Sequence, residues 1–169
     1  MSEMTRPVAV DRVGAAGLDM VVEANPAELA AIAARLMLPG VDRLRCSFRL
    51  KRLQDSVIEA SGTLTAGVTQ TCVVTLDDFR QAVTEEFTVR FVPEGSESED
   101  DDPESPDQIP YPAGLIDLGE AAIEQLALAL PPYPRQPGLP EPEEEPQDVP
   151  DAQQAPGKFA ALAALRRPQ

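Results

Sequence analysis

Residues 43–52 read RLRCSFRLKR, and this stretch decides the fold class. Leu44, Cys46, Phe48 and Leu50 alternate with Arg43, Arg45, Ser47, Arg49 and Lys51. A period of two sends the first set into a core and the second onto one outer face, the pattern of a half-buried β-strand. Working outward, residues 57–60 and 64–68 predict two further strands, or one long bulged strand with Gly62 at the irregularity. Residues 71–76 (TCVVTL) form a near-continuous β-favouring run. Phe87, Val89 and Phe91 alternate with Thr88 and Arg90, and Pro93 closes that element. On the N-terminal side, Val8 and Val10 share one face of a first strand, and Leu18, Met20 and Val22 one face of a second. Strands in a row predict an antiparallel meander with helices on one face or at one end. The expected class is α+β, an antiparallel sheet with strong curling as one option, two main helices and acidic disordered segments.

Both helices announce their ends. Asn25 is placed as an N-cap, Pro26 takes the first helical position and Glu28 the third. Leu29, Ile32, Ala33 and Leu36 then recur at helical spacing. Gly40 is the expected terminator, in a left-handed conformation. The second helix lies within residues 109–135, IPYPAGLIDLGEAAIEQLALALPPYPR. Asp117 is its N-cap, Glu120 stands three residues later as in a capping box, and Pro131 with Pro132 stops it.

Charge is distributed unevenly. The 169 residues carry a net charge of −15. Residues 1–93 hold 10 basic and 12 acidic side chains, residues 94–156 hold 1 and 17, and residues 157–169 hold 3 and none. The body of the protein is therefore almost neutral. Residues 94–107 (EGSESEDDDPESPD) contain eight carboxylates and two prolines. Residues 137–156 contain six of each. Neither segment has the apolar side chains to offset about 1–2 kcal/mol per residue of backbone ordering, so both are expected to be disordered. This divides the chain into one α+β domain at 1–134, interrupted by an acidic loop at 94–108, a Pro/Glu-rich linker at 135–156, and a short docking helix at 157–169. In that last segment Phe159, Leu162 and Leu165 make an apolar stripe for docking on the domain or on a partner.

Composition excludes several chemistries. The chain has no histidine and no tryptophan, which rules out a Ser-His-Asp triad, a Cys-His dyad and histidine metal ligands. The glycines lack phosphate-loop spacing. Asp77-Asp78 and Glu85-Glu86 are adjacent in sequence, so neighbouring strand side chains point apart and form no acid–base pair. No catalytic residue, metal or cofactor is expected, and the protein is expected not to be an enzyme. No apolar run is long enough to cross a membrane. The first residues lack the pattern of a secretory signal, so a cytoplasmic protein without membrane contact is expected.

Three segments in order carry a family resemblance: QTCVVTL at 70–76, the Asp117-Leu118-Gly119-Glu120 start of the apolar helix, and FAALAAL at 159–165. Their order and spacing resemble the YceD family of large ribosomal RNA accumulation proteins. The resemblance implies a non-enzymatic bacterial ribosome biogenesis factor that supports synthesis or accumulation of 23S ribosomal RNA. Its implied partners are ribosomal RNA or a pre-ribosomal particle. An acidic adaptor for basic ribosomal proteins or a processing enzyme is the alternative. Many members have Cys-x-x-Cys where this chain has Cys72 and Thr75. One thiolate without histidine cannot hold a tetrahedral zinc, so both cysteines are expected in the core.

The candidate RNA-binding residues are Arg43, Arg45, Arg49 and Lys51 on one side of one strand, with Arg52 at its end. Same-side strand residues are about 6.6–7 Å apart, near the phosphate spacing of an extended nucleic acid. Phe48 faces the core, so contact would be to backbone rather than to stacked bases.

Overall fold

The alternation in residues 43–52 lies inside a 13-residue strand, β3 (Gly40–Arg52). The computed structural model describes residues 3–96 and 105–140. In chain order it contains β1 (Pro7–Ala9), β2 (Leu18–Glu23), α1 (Pro26–Arg35), β3, β4 (Ile58–Thr71), β5 (Asp78–Pro93), β6 (Asp107–Tyr111), β7 (Leu115–Asp117) and α2 (Leu118–Ala129). The described residues as far as Pro137 belong to one compact unit. The class is α+β, as expected.

The main sheet has the order β2-β3-β4-β5-β6. Its first three pairings are antiparallel, which fits the meander. The fourth is parallel: Val89–Pro93 of β5 run beside Asp107–Tyr111. A parallel partner requires the chain to travel back to the start of the neighbouring strand, and residues 94–106 make that crossing. This corrects the purely antiparallel expectation. It also narrows the expected acidic loop, since Glu94 and Gly95 form a turn and Asp107 already belongs to β6. Residues 97–104 and 141–169 fall outside the described residues, and with them most of the linker and the expected docking stripe Phe159, Leu162 and Leu165.

Strong curling is not found: among the described residues β2 and β6 stand as separate edges of an open sheet. Gly62 is no irregularity either. It sits in regular register between Phe48 on β3 and Phe87 on β5. A Cβ there would collide with the Ser47 carbonyl and come within 2.7 Å of the Phe87 ring. Glycine is required because Phe87 leans across the strand onto Phe48, edge to face with centroids 5.5 Å apart. The real register shift lies between Val41 and Arg43.

Residues 71–76 do not form a strand beyond Thr71. Cys72–Asp77 is the loop of the β4–β5 hairpin, closed by hydrogen bonds from the Cys72 N–H to the Asp77 carbonyl and from the Leu76 N–H to the Cys72 carbonyl. β-Branched composition is overridden by the hairpin register, which pairs Thr71 with Asp78. β5 consequently starts nine residues before Phe87. Val8 is in β1, but Val10 opens a single 3-10 turn. Both are buried.

α1 starts as read. Asn25 accepts from the Ala27 and Glu28 N–H groups, both at 3.0 Å, and Glu28 accepts from the Asn25 N–H at 2.8 Å. Its end differs from expectation. Gly40 belongs to β3, and the left-handed residue is Met37 at φ 53°. The Met37 N–H reaches the Ala34 carbonyl and the Leu38 N–H the Ala33 carbonyl, a Schellman motif with methionine where glycine is usual.

Both helices bury Ile32, Ile123 and Leu126 in one cluster with the inward row Leu44, Cys46, Phe48 and Leu50. The Asp117-x-Gly-Glu start of α2 is a dock for the N-terminal segment. Asp117 Oδ1 caps Gly119 and Glu120 and also accepts from the Arg6 N–H at 2.8 Å. Gly119 is buried, and a Cβ on it would strike the Met4 backbone. β1 and β7 pair alongside.

Candidate nucleic-acid interface

The register of β3 fixes its outward row. Arg45 stands opposite Glu23 on β2 and Thr65 on β4, and Arg49 opposite Asp19 and Ser61. Across β5 the rows continue to Thr84 and Thr88. Ser47, Ser61, Thr84 and Thr88 are exposed, and Thr63 and Thr65 half-buried. The result is a broad face of hydroxyls crossed by a line of cations, with both helices on the opposite side. No aromatic side chain stands in this row.

Arg43, Arg45, Arg49 and Lys51 are all exposed on this face. The Arg49 guanidinium holds both oxygens of Asp19 at 3.0 Å, and Arg45 lies 3.5 Å from Glu23. Arg43 and Lys51 form no ion pair among the described residues. Two further cations extend the face from β5: Arg80, 3.6 Å from Asp42, and Arg90, 3.6 Å from Glu59. These two were not among the candidates. The signal lay in pairing register, since Arg80 is 38 positions from Asp42 and Arg90 is 31 from Glu59, too far for local periodicity to relate them.

Arg52 is separated from the others. Opposite buried Ile58, it has the parity of the inward row. Its Nη2 donates to the Val10 carbonyl at 2.9 Å and to Asp11 at 3.3 Å, tying the end of β3 to the N-terminal turn.

Exposed pairs such as Asp19–Arg49 contribute only about 0–1 kcal/mol each. They hold the arginines extended and outward, and an incoming phosphate could replace the carboxylates at little cost. The hydroxyls beside them are the side chains that contact phosphate and sugar in protein–nucleic acid complexes.

Cys72 is fully buried. Its Sγ accepts from the N–H groups of Val74 and Gln136, both at 3.4 Å. The Val73 N–H meanwhile donates to the Pro134 carbonyl. The proline-rich segment after α2 thus straps the hairpin loop. Burial pushes the Cys72 thiol up, but N–H groups from Gln136, Thr75 and Val74 and the Thr75 hydroxyl favour the thiolate and bring it to about 7. Cys46 lacks such donors, and burial pushes it up to about 12. Among the described residues no cluster of three or more His, Cys, Asp or Glu side chains is placed to hold a metal. No described helix is long and apolar enough to cross a membrane.

The described fold is an open α+β domain with one helix-covered face and one hydroxyl- and arginine-lined face. A family model described as "Large ribosomal RNA subunit accumulation protein YceD" matches residues 60–166. The chain belongs to the YceD family, whose description ties it to the RNA of the large ribosomal subunit. No curated protein and no solved structure matches it.

Proposed function

We propose that this protein supports accumulation of large-subunit ribosomal RNA without catalysing a reaction, by holding the RNA backbone of a pre-ribosomal particle against its outer sheet face. One observation carries the reading: Arg43, Arg45, Arg49 and Lys51 share that face with exposed serines and threonines, and no element of the described fold covers it. Binding of this kind is to shape and phosphate, since no aromatic platform stands in the row. Four phosphate contacts give a slope of about −3.5 in log affinity against log salt. Replacing Arg45 and Arg49 by Glu is expected to remove ribosomal RNA from crosslinks formed in cells, with the fold intact because both side chains point outward. Unchanged RNA crosslinking in that variant rejects the face.

A second reading is favoured by the acidity. With a net charge of −15 and acids already opposite Arg45 and Arg49, the protein would act as an adaptor for basic ribosomal proteins or an RNA-processing enzyme. Co-purification of such proteins that survives nuclease, and is lost when residues 97–104 and 141–156 are removed, would select it. Either reading places the protein in the cytoplasm with the ribosome.

A further inference from the structure

Helix α2 and the edge strand β6 leave a groove between them. Two hollows of about 440 and 360 Å³ adjoin there, and Ile109 and Glu124 line both. On α2 the lining runs Asp117, Glu120, Ala121, Glu124, Gln125 and Leu128, the three- and four-residue spacing of one helix stripe. Along β6 it runs the opposite way, from Tyr111 back to Asp107. From Asp117 to Leu128 the stripe is about 16 Å long.

The floor is apolar: Phe91, Ile116 and Ala121 are buried along the first hollow. Leu115 in the first hollow and Leu128 in the second stay 49% and 69% exposed. Gln125 is only 7% exposed and lines the second hollow, yet its side chain bonds to no described residue. Buried amides are ordinarily hydrogen-bonded. Unlike the carbonyl oxygen of Gln70, this amide is not sealed from solvent, so a ligand in the hollow can reach it.

The rim carries one sign of charge. Asp107, Asp117, Glu120 and Glu124 line the groove, and no lysine or arginine does. Asp117 is engaged in the α2 cap and Glu120 with Arg35. Asp107 and Glu124 form no ion pair among the described residues. Glu124 is half-buried; burial, then the Glu120 charge, push its carboxyl above the ordinary range against a smaller pull from Arg35. Elsewhere on the fold Asp19, Glu23, Asp42 and Glu59 each face an arginine. A half-buried carboxylate beside a like charge gains most from an incoming cation.

We propose that this groove docks a basic peptide segment of a partner protein, with apolar side chains seated between α2 and β6 and a lysine or arginine on Glu124 and Asp107. An apolar groove of this kind takes the apolar face of an amphipathic segment. A rim of carboxylates selects a basic one and repels both RNA phosphate and acidic peptides. The kind of partner rests on the adaptor reading, whereas the site is new to it: the folded domain rather than residues 97–104 and 141–156.

The test follows the fluorescence anisotropy of a labelled peptide, Leu-Lys-Lys-Leu-Leu-Lys-Leu repeated twice, titrated with the full chain. Salt is held at about 0.15 M, where exposed charges more than about 8 Å apart are largely screened. Saturable binding is expected, with none for the same peptide carrying Glu in place of Lys. Glu124→Lys and Leu128→Gln are each expected to weaken binding by about tenfold or more, with unchanged circular dichroism. Wild-type affinity in either variant overturns the groove. Changing every Asp to Asn and Glu to Gln within 97–104 and 141–156 is expected to leave binding unchanged. Binding lost in that neutralised chain alone overturns the groove but keeps the adaptor reading. No binding in any chain overturns the groove, and loss of nuclease-resistant co-purification as well would remove the adaptor reading with it. Binding that appears only after truncation behind Pro156 gives the groove to the chain's own last residues and overturns the partner.

Discussion

Met37 shows how little of a helix end a single residue's composition reveals. It is 90% exposed and left-handed at φ 53°, a conformation that costs an L-residue roughly 1–2 kcal/mol. Met37→Gly loses no packing and relieves that strain. It is expected to raise stability by about 0.5–1 kcal/mol after the greater entropy of glycine in the unfolded chain is set against it, read as a higher urea midpoint at unchanged slope. Gly119 is the opposite case, since its missing side chain is filled by the Met4 backbone. Gly119→Ala is expected to destabilise by about 1–3 kcal/mol, because backbone cannot move aside as a flexible side chain can. Thermal or urea unfolding of that variant at wild-type stability would show that the N-terminal segment does not lie across α2. Neither position announces itself in sequence: Gly40 was the residue that looked like the helix terminator, and Gly119 looked only like part of an acidic helix start.

Among the elements, the β4–β5 hairpin and its strap make the most specific claim. Cys72 is held near a pKa of about 7 by N–H groups from its own loop and from Gln136, below the ordinary thiol value of about 8.5 in an unfolded chain. The unfolded state therefore binds more protons between these values, and stability rises with pH across that window. It is lost as pH falls through about 7. Urea midpoints of the wild type are expected to climb from pH 6.5 to 9 relative to Cys72→Ala, and parallel curves would show that the thiolate is not favoured. The apolar loop residues read as strand because Val73 and Val74 suit a pleated surface. Where a hairpin turns is set by which residues of the two arms pair, and β-propensity within one arm does not contain that.

For the whole molecule, two ion pairs hold the N-terminal segment to α1 and a third joins α1 to α2. Arg6 grips Glu28 through two bonds of 2.9 Å, and Arg35 bridges Glu3 at 2.8 Å and Glu120 at 2.6 Å. Bonding to Arg6 holds the Glu28 carboxyl below the ordinary range, and bonding to Arg35 does the same for Glu3. For a depressed carboxyl the contribution is complete above the unfolded value and lost as pH falls through the folded one. Unfolding midpoints are thus expected to drop in acid, below about pH 4.5, and Glu28→Gln is expected to be less stable at neutral pH with a flatter acid limb. An identical acid limb in wild type and variant would remove Glu28 from the account. The same substitution keeps an acceptor for the Asn25 N–H, because glutamine also closes a capping box, so the neutral-pH loss reports the Arg6 pair.

Local patterns determined what lies on each element. The period of two in residues 43–52, the Asn25-Pro26-x-Glu28 start and the Pro131-Pro132 stop depend on backbone geometry within a few residues, and the structure has each of them. The order of motifs was likewise sufficient to place the chain in its family. Pairing decided the rest. The parallel β5–β6 contact, the hairpin loop at 72–77, the strap on Cys72 and the acids opposite Arg45 and Arg49 all join residues distant in the chain. Their energies arise from register and burial, and no single segment encodes either.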